Sequence, residues 1–144
     1  KNTKGIEQNA TESDHFLNQE YEDIICKVLE WDDNDRWIVS EYAKNISKPR
    51  FKQLLGVSIE QFFAYIYEHL RNREYSFYHA SDETISILDN NKFTNEIMDM
   101  CINFDMEIGD FMRIGTFGEI DGRLVIRDYG LTKSTYRRYY LKKE

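Results

Sequence analysis

The sequence predicts an α+β fold, and three observations carry that expectation. Apolar residues recur at helical spacing in several stretches, while the β-prone runs are short and bounded by Asp, Asn and Gly. A composition of 41% hydrophobic and 31% charged residues is that of a globular chain. At 144 residues the chain has the usual length of one domain and can bury a core without disulfide or metal.

The elements follow in order. From Glu12 to Leu29 a helix is expected, beginning at Thr11 or Ser13, because Phe16, Leu17, Tyr21, Ile24, Ile25 and Val28 fall at spacings of three and four. Val28 and Leu29, then Trp37 to Val39, spell two short strands joined by the acidic turn Asp32-Asp33-Asn34-Asp35. That turn lacks the spacing and the glycine of a calcium loop. Pro49, the only proline, opens a short helix that Gly56 stops. Ser58 and Gln61 have the spacing of a capping box in front of Phe62, Phe63, Ile66, Tyr67 and Leu70. Asn72 to Glu83 has no period and reads as connection, and Phe93 to Phe104 carries an amphipathic stripe. After Ile108 the glycines crowd together, and Asp121-Gly122 between Thr116–Ile120 and Leu124–Ile126 signals a tight hairpin.

Charge and composition exclude several classes. A net charge of −7 argues against a protein that wraps nucleic acid by bulk electrostatics. No run of about 18 apolar residues offers a membrane span, so a soluble chain is expected. Cys26 and Cys101 each sit in an apolar stretch and read as buried free thiols, which fits a reducing, cytoplasmic compartment. His15, His69 and His79 are scattered and suggest no zinc site.

Two carboxylates, Asp110 and Asp128, bracket the predicted hairpin, which brings its ends together. Paired carboxylates on converging backbone suit magnesium-dependent phosphoryl transfer. The same residues beside glycines also serve as loop anchors and turn formers. At the C-terminal end, Tyr136, Arg137, Arg138, Tyr139 and Tyr140 interleave aromatic rings with cations, the composition of a docking surface, internal or intermolecular.

Gly109-Asp110-Phe111, Gly118-Glu119-Ile120, Asp121 to Ile126 and Asp128-Tyr129-Gly130 together resemble the catalytic loop, hairpin and metal-binding triplet of the protein-kinase-like superfamily, especially divergent members from bacteriophages. The resemblance implies Asp110 in the place of the catalytic base and Asp128 in the place that holds magnesium. It implies that Trp37 to Ala43, with Glu41 and Tyr42, form the hinge strand whose backbone meets an adenine base, and that Glu12 matches the glutamate that pairs with a phosphate-binding lysine. The stretch before Glu12 has Gly5 as its only glycine and Lys1 and Lys4 as its only lysines, and the position five residues after Asp110 is Gly115 rather than asparagine. What is implied is therefore a truncated kinase-like fold, with a partial small lobe and hinge in residues 1–46 and a helical lobe in residues 47–144. The function expected from it is a noncatalytic interaction module, binding no cofactor and docking a host or viral protein or a second copy of itself in the cytoplasm of a phage-infected cell. The alternative is a phosphotransferase fragment using magnesium and ATP, its missing lobe supplied by additional sequence or a partner.

Overall fold

The computed structural model describes residues 3–71 and 78–141, which form a mixed α+β fold with two small antiparallel sheets and a mostly helical C-terminal region. Part of the connection expected at Asn72 to Glu83 lies outside the described residues.

The helix expected from Glu12 to Leu29 is instead two short helices and an extended passage. Helix α1 spans Thr3–Glu12 and α2 spans His15–Glu20. Asp14 separates them, its carboxylate accepting the Leu17 N–H at 2.9 Å as an N-cap. Beyond Tyr21 the chain runs extended beside a later strand, with the Cys26 N–H donating to the Ile126 carbonyl at 2.9 Å and the Ile126 N–H to the Ile24 carbonyl at 2.7 Å. Leu17, Tyr21, Ile24 and Ile25 are buried as their apolarity demands, but a buried apolar run does not by itself distinguish helix from strand. Phe16, counted on the same stripe, is 74% exposed.

Strands β1 (Val28–Trp31) and β2 (Ile38–Ser40) form an antiparallel ribbon, as the two β-prone runs predict. Asp32 organises the turn, accepting from the Asn34 N–H at 3.1 Å and pairing with the Arg36 guanidinium at 2.8 Å. After β3 (Lys44–Asn45), α3 (Lys48–Leu55) begins with a Ser47 cap and Pro49 in its first turn and stops at Gly56, whose φ is 97°. Helix α4 (Ile59–Leu70) is capped by the Ser58 hydroxyl on the Gln61 N–H. The Gln61 side chain does not close the expected box. It accepts from the Ser81 N–H at 2.8 Å and the Thr84 hydroxyl at 3.1 Å, tying α4 to α5 (Asp82–Leu88), a helix the sequence reading misses. Helix α6 (Lys92–Asn103) follows where its stripe predicts.

Two 3-10 turns, Ile108–Met112 and Ile114–Thr116, lead into the hairpin of β4 (Phe117–Ile120) and β5 (Arg123–Ile126). Asp121 and Gly122 take positive φ values of 49° and 78°, the conformation a two-residue turn needs. Strand β3 extends this hairpin to three strands, with Asn45 opposite Gly118. Phe51, Phe62 and Phe117 meet beneath it at ring separations of 5.0 to 5.9 Å and join α3, α4 and β4 in one core. Helix α7 (Lys133–Tyr139) then returns to α1. No helix among the described residues is long and apolar enough to cross a membrane.

Candidate functional site

Two backbone features bring the predicted site residues together. The Arg127 N–H donates to the Thr116 carbonyl at 2.7 Å, and the Thr116 hydroxyl donates to the Asp110 carbonyl at 2.6 Å, so the exit of β5 is tied to the turn that carries Asp110. On the other side, the Tyr129 hydroxyl reaches the Cys26 carbonyl at 2.7 Å, which fixes Asp128 beside the segment leading into β1. Tyr129 itself is buried, and its phenol is raised by burial first and by the charge of Glu12 next.

A cleft of about 430 Å³ lies between the ribbon and this region, lined by Cys26, Ser40, Glu41, Tyr42, Ala43, Gly115, Arg127 and Asp128. It contains the expected hinge residues Glu41 and Tyr42 and the expected metal-holding residue Asp128. Glycine at position 118 allows this approach, because a Cβ there would stand 2.8 Å from the Ala43 Cβ and 2.6 Å from the Arg127 Cδ. The Glu41 carboxylate accepts the Lys27 N–H just before β1 at 3.0 Å, and the Glu41 N–H donates to the Lys27 carbonyl at 2.8 Å. Tyr42 is 83% exposed, and Trp37 is 49% exposed, although both read from the sequence more readily as core or half-buried strand residues. Among the described residues the ribbon has two strands only.

Glu12, the last residue of α1, meets Asp128 directly. Its carboxyl is hydrogen-bonded to that of Asp128 and accepts the N–H groups of Tyr129, at 3.3 Å, and Gly130. Burial, followed by the charge of Asp128, pushes Glu12 up to about 7. Near neutral pH the Glu12 carboxyl therefore keeps its proton much of the time. Gly130 permits the approach, since a Cβ there would stand 2.7 Å from the Gln8 carbonyl oxygen and 2.9 Å from a Glu12 carboxylate oxygen. Asp110 is the third carboxyl of the group. It is raised by burial first, opposed by Arg113 at 3.2 Å, and raised further by Asp128 and Glu107. Arg127 lines the cleft, but its guanidinium hydrogen-bonds the Asn45 side chain. Among the described residues, no three His, Cys, Asp or Glu side chains are gathered so as to hold a metal ion.

Of the five expected docking residues Tyr136 to Tyr140, which do not line the cleft, Arg138, Tyr139 and Tyr140 contact α1. Arg138 pairs with Glu7, the Tyr139 hydroxyl bonds Glu7 at 3.0 Å, and Lys4 sits 4.4 Å over the Tyr140 ring. Tyr136 stacks on Tyr140 at 5.5 Å, and Arg137 is exposed. Both cysteines are buried free thiols, with burial pushing Cys26 to about 11 and Cys101 to about 12.

The sequence does not mark Arg127 or Cys26 as cleft residues, nor Glu7 as the acceptor for α7, whereas Ala43 falls within the expected hinge strand. Arg127 adjoins Asp128 and was accessible from that neighbourhood, whereas Glu7 and Arg138 stand 131 residues apart and share no local signal. Comparison with protein-family models, with curated proteins and with solved structures finds no match to this chain.

Proposed function

We propose that this chain is a kinase-like module that transfers no phosphate by itself and works by binding another protein. The observation that carries this reading is the carboxyl pair of Glu12 and Asp128. The resemblance gives these residues the positions of a lysine-pairing glutamate and a magnesium-holding aspartate, yet here they are hydrogen-bonded to each other and Glu12 is raised to about 7. A triphosphate entering the cleft would meet Asp128 and the nearby Asp110, while the one guanidinium lining the cleft is engaged by Asn45. Arg113 compensates Asp110, but Asp128 has no ion-pair partner among the described residues, and an uncompensated carboxylate repels a polyanion.

A second reading is favoured by the same pair. A raised buried carboxyl beside an exposed aspartate is an uncompensated negative site that a cation would relieve. With the phosphate-gripping lobe supplied by further sequence or a partner, Asp128 would be the carboxylate offered to magnesium, the nucleotide phosphates and water completing its shell. The hinge backbone at Glu41 and Tyr42 would border the base.

Calorimetric titration of the 144-residue chain with ATP and magnesium separates the two. The first reading expects weak or undetectable binding, the same in Asp128→Asn. Tight magnesium-dependent binding that Asp128→Asn abolishes would overturn it, and accompanying phosphate transfer would establish the second.

A further inference from the structure

The two edges of the β1–β2 ribbon are not equivalent. The register of Trp31 opposite Ile38 and Glu30 opposite Val39 is broken by a bulge at Leu29 before Val28 meets Ser40. The outward N–H of Val28 is also satisfied, donating to the Asn18 side-chain oxygen at 2.8 Å. Bulges and side-chain caps blunt a strand edge. On β2 the Asp32 N–H donates to the Trp37 carbonyl at 3.1 Å and the Glu41 N–H to the Lys27 carbonyl at 2.8 Å. Because antiparallel ladders alternate, Trp37, Val39 and Glu41 direct their backbone groups at β1, and those of Ile38 and Ser40 point outward. No described residue bonds those outward groups, and the Ile38-Val39-Ser40 edge carries no lysine, proline or bulge to protect it.

The side chains agree with the backbone. Trp37 and Val39 on one face are 49% and 46% exposed, and Trp31 on the other is 52% exposed. A two-stranded ribbon with large apolar groups bare on both faces is marginal in water, and an added strand sets its own side chains beside those of β2 on both faces.

We propose that the outer edge of β2 docks an extended β-strand from outside these 144 residues, rich in β-branched or aromatic residues, which pairs with the backbone of Ile38 and Ser40. The complementarity is electrostatic: outward N–H and C=O groups alternate in sign along the edge, and another extended backbone presents the opposite signs at the same spacing. This edge meets the cleft at Ser40, which also lines it, but the pairing rests on the strand geometry and not on either reading of the cleft.

Trp31 and Trp37 are the only tryptophans, so their fluorescence reports on the ribbon alone. The probe is a synthetic peptide of alternating valine and threonine, compared with its analogue N-methylated at every amide. The expected result is a shift of emission to shorter wavelength with the plain peptide and none with the methylated one. Ile38→Pro, which removes only an outward N–H and so spares the β1 ladder, should weaken peptide binding by about tenfold, the worth of one hydrogen bond of about 1.4 kcal/mol. Equal shifts with both peptides, or no shift with either, would overturn the proposal without relying on the variant's folding. A shift that grows with protein concentration alone, together with a doubled mass, would make a second copy the occupant and also overturn it.

Discussion

Helices α4 and α1 are both well-formed elements, but they are held to the molecule by different physics. Helix α4 buries Ile59, Phe62, Phe63, Ala64, Tyr65 and Ile66, whereas α1 buries no residue fully. Helix α1 is fixed by polar contacts at its middle and its C-terminal end: Glu7 to Arg138 and Tyr139, and Glu12 to Tyr129, Gly130 and Asp128. Hydrophobic burial is strong and indifferent to pH, while hydrogen-bonded carboxyls are individually modest and titrate. The body of the protein is thus anchored by its core, and the element that brings Glu12 to the cleft is anchored by groups that pH and salt can loosen.

The comparison can be broken first at the core. Phe62→Ala removes a fully buried ring in contact with Phe51 and Phe117 and should cost about 3–5 kcal/mol of stability in chemical denaturation. A cost as small as that of a surface substitution would show that α4 is not the anchor.

Gly130→Ala tests the seat of α1. The added Cβ meets the Gln8 backbone oxygen, which cannot swing aside, and should cost about 1–3 kcal/mol while releasing Glu12 from the Tyr129 N–H. Accelerated amide exchange confined to α1 and its neighbours, with α4 unchanged, is the expected pattern.

Glu12→Gln sharpens the electrostatic half of the comparison. Glu12 is raised in the folded chain from an ordinary value of 4.5 to about 7, so the native state binds the extra proton between those values. Its contribution to stability is therefore greatest below about 4.5, falls as pH rises through that window, and is lost above about 7. Glutamine keeps an acceptor for the Tyr129 N–H and offers Asp128 a neutral donor. The variant should be more stable than the parent by about 1–2 kcal/mol well above neutral pH, after discounting for partial exposure, and the gain should shrink toward acid.

The smallest effect is expected from Tyr139→Phe, which removes the hydroxyl bonded to Glu7 and Thr3 at the exposed α1–α7 contact. Faster exchange in α1 should be detectable at low salt and fade as salt is added.

The same division explains what could be read from the sequence. The acidic turn, Pro49, the Ser58 cap and the Asp121-Gly122 hairpin are local chemistry and stand where the sequence predicts them. The α6 stripe does as well, because its period extends over a whole helix. The helix expected from Glu12 to Leu29 failed because Ile24 and Ile25 are buried beside β5, a partner about 100 residues away that no local period reveals. For the site, the hairpin made the nearness of Asp110 and Asp128 legible. The meeting of Glu12 with Asp128 was not legible as a carboxyl pair, because it depends on Gly130 admitting α1 at close range.

The central claim is that Glu12 and the cleft residue Asp128 meet as a hydrogen-bonded carboxyl pair in which Glu12 is raised. Carbon-13 NMR titration of the Glu12 side-chain carboxyl, repeated in Asp128→Asn, tests it most directly. A midpoint near 7 in the parent chain that moves down when the Asp128 charge is removed is the result expected from the pair. A midpoint near the ordinary 4.5, unmoved by Asp128→Asn, would contradict it.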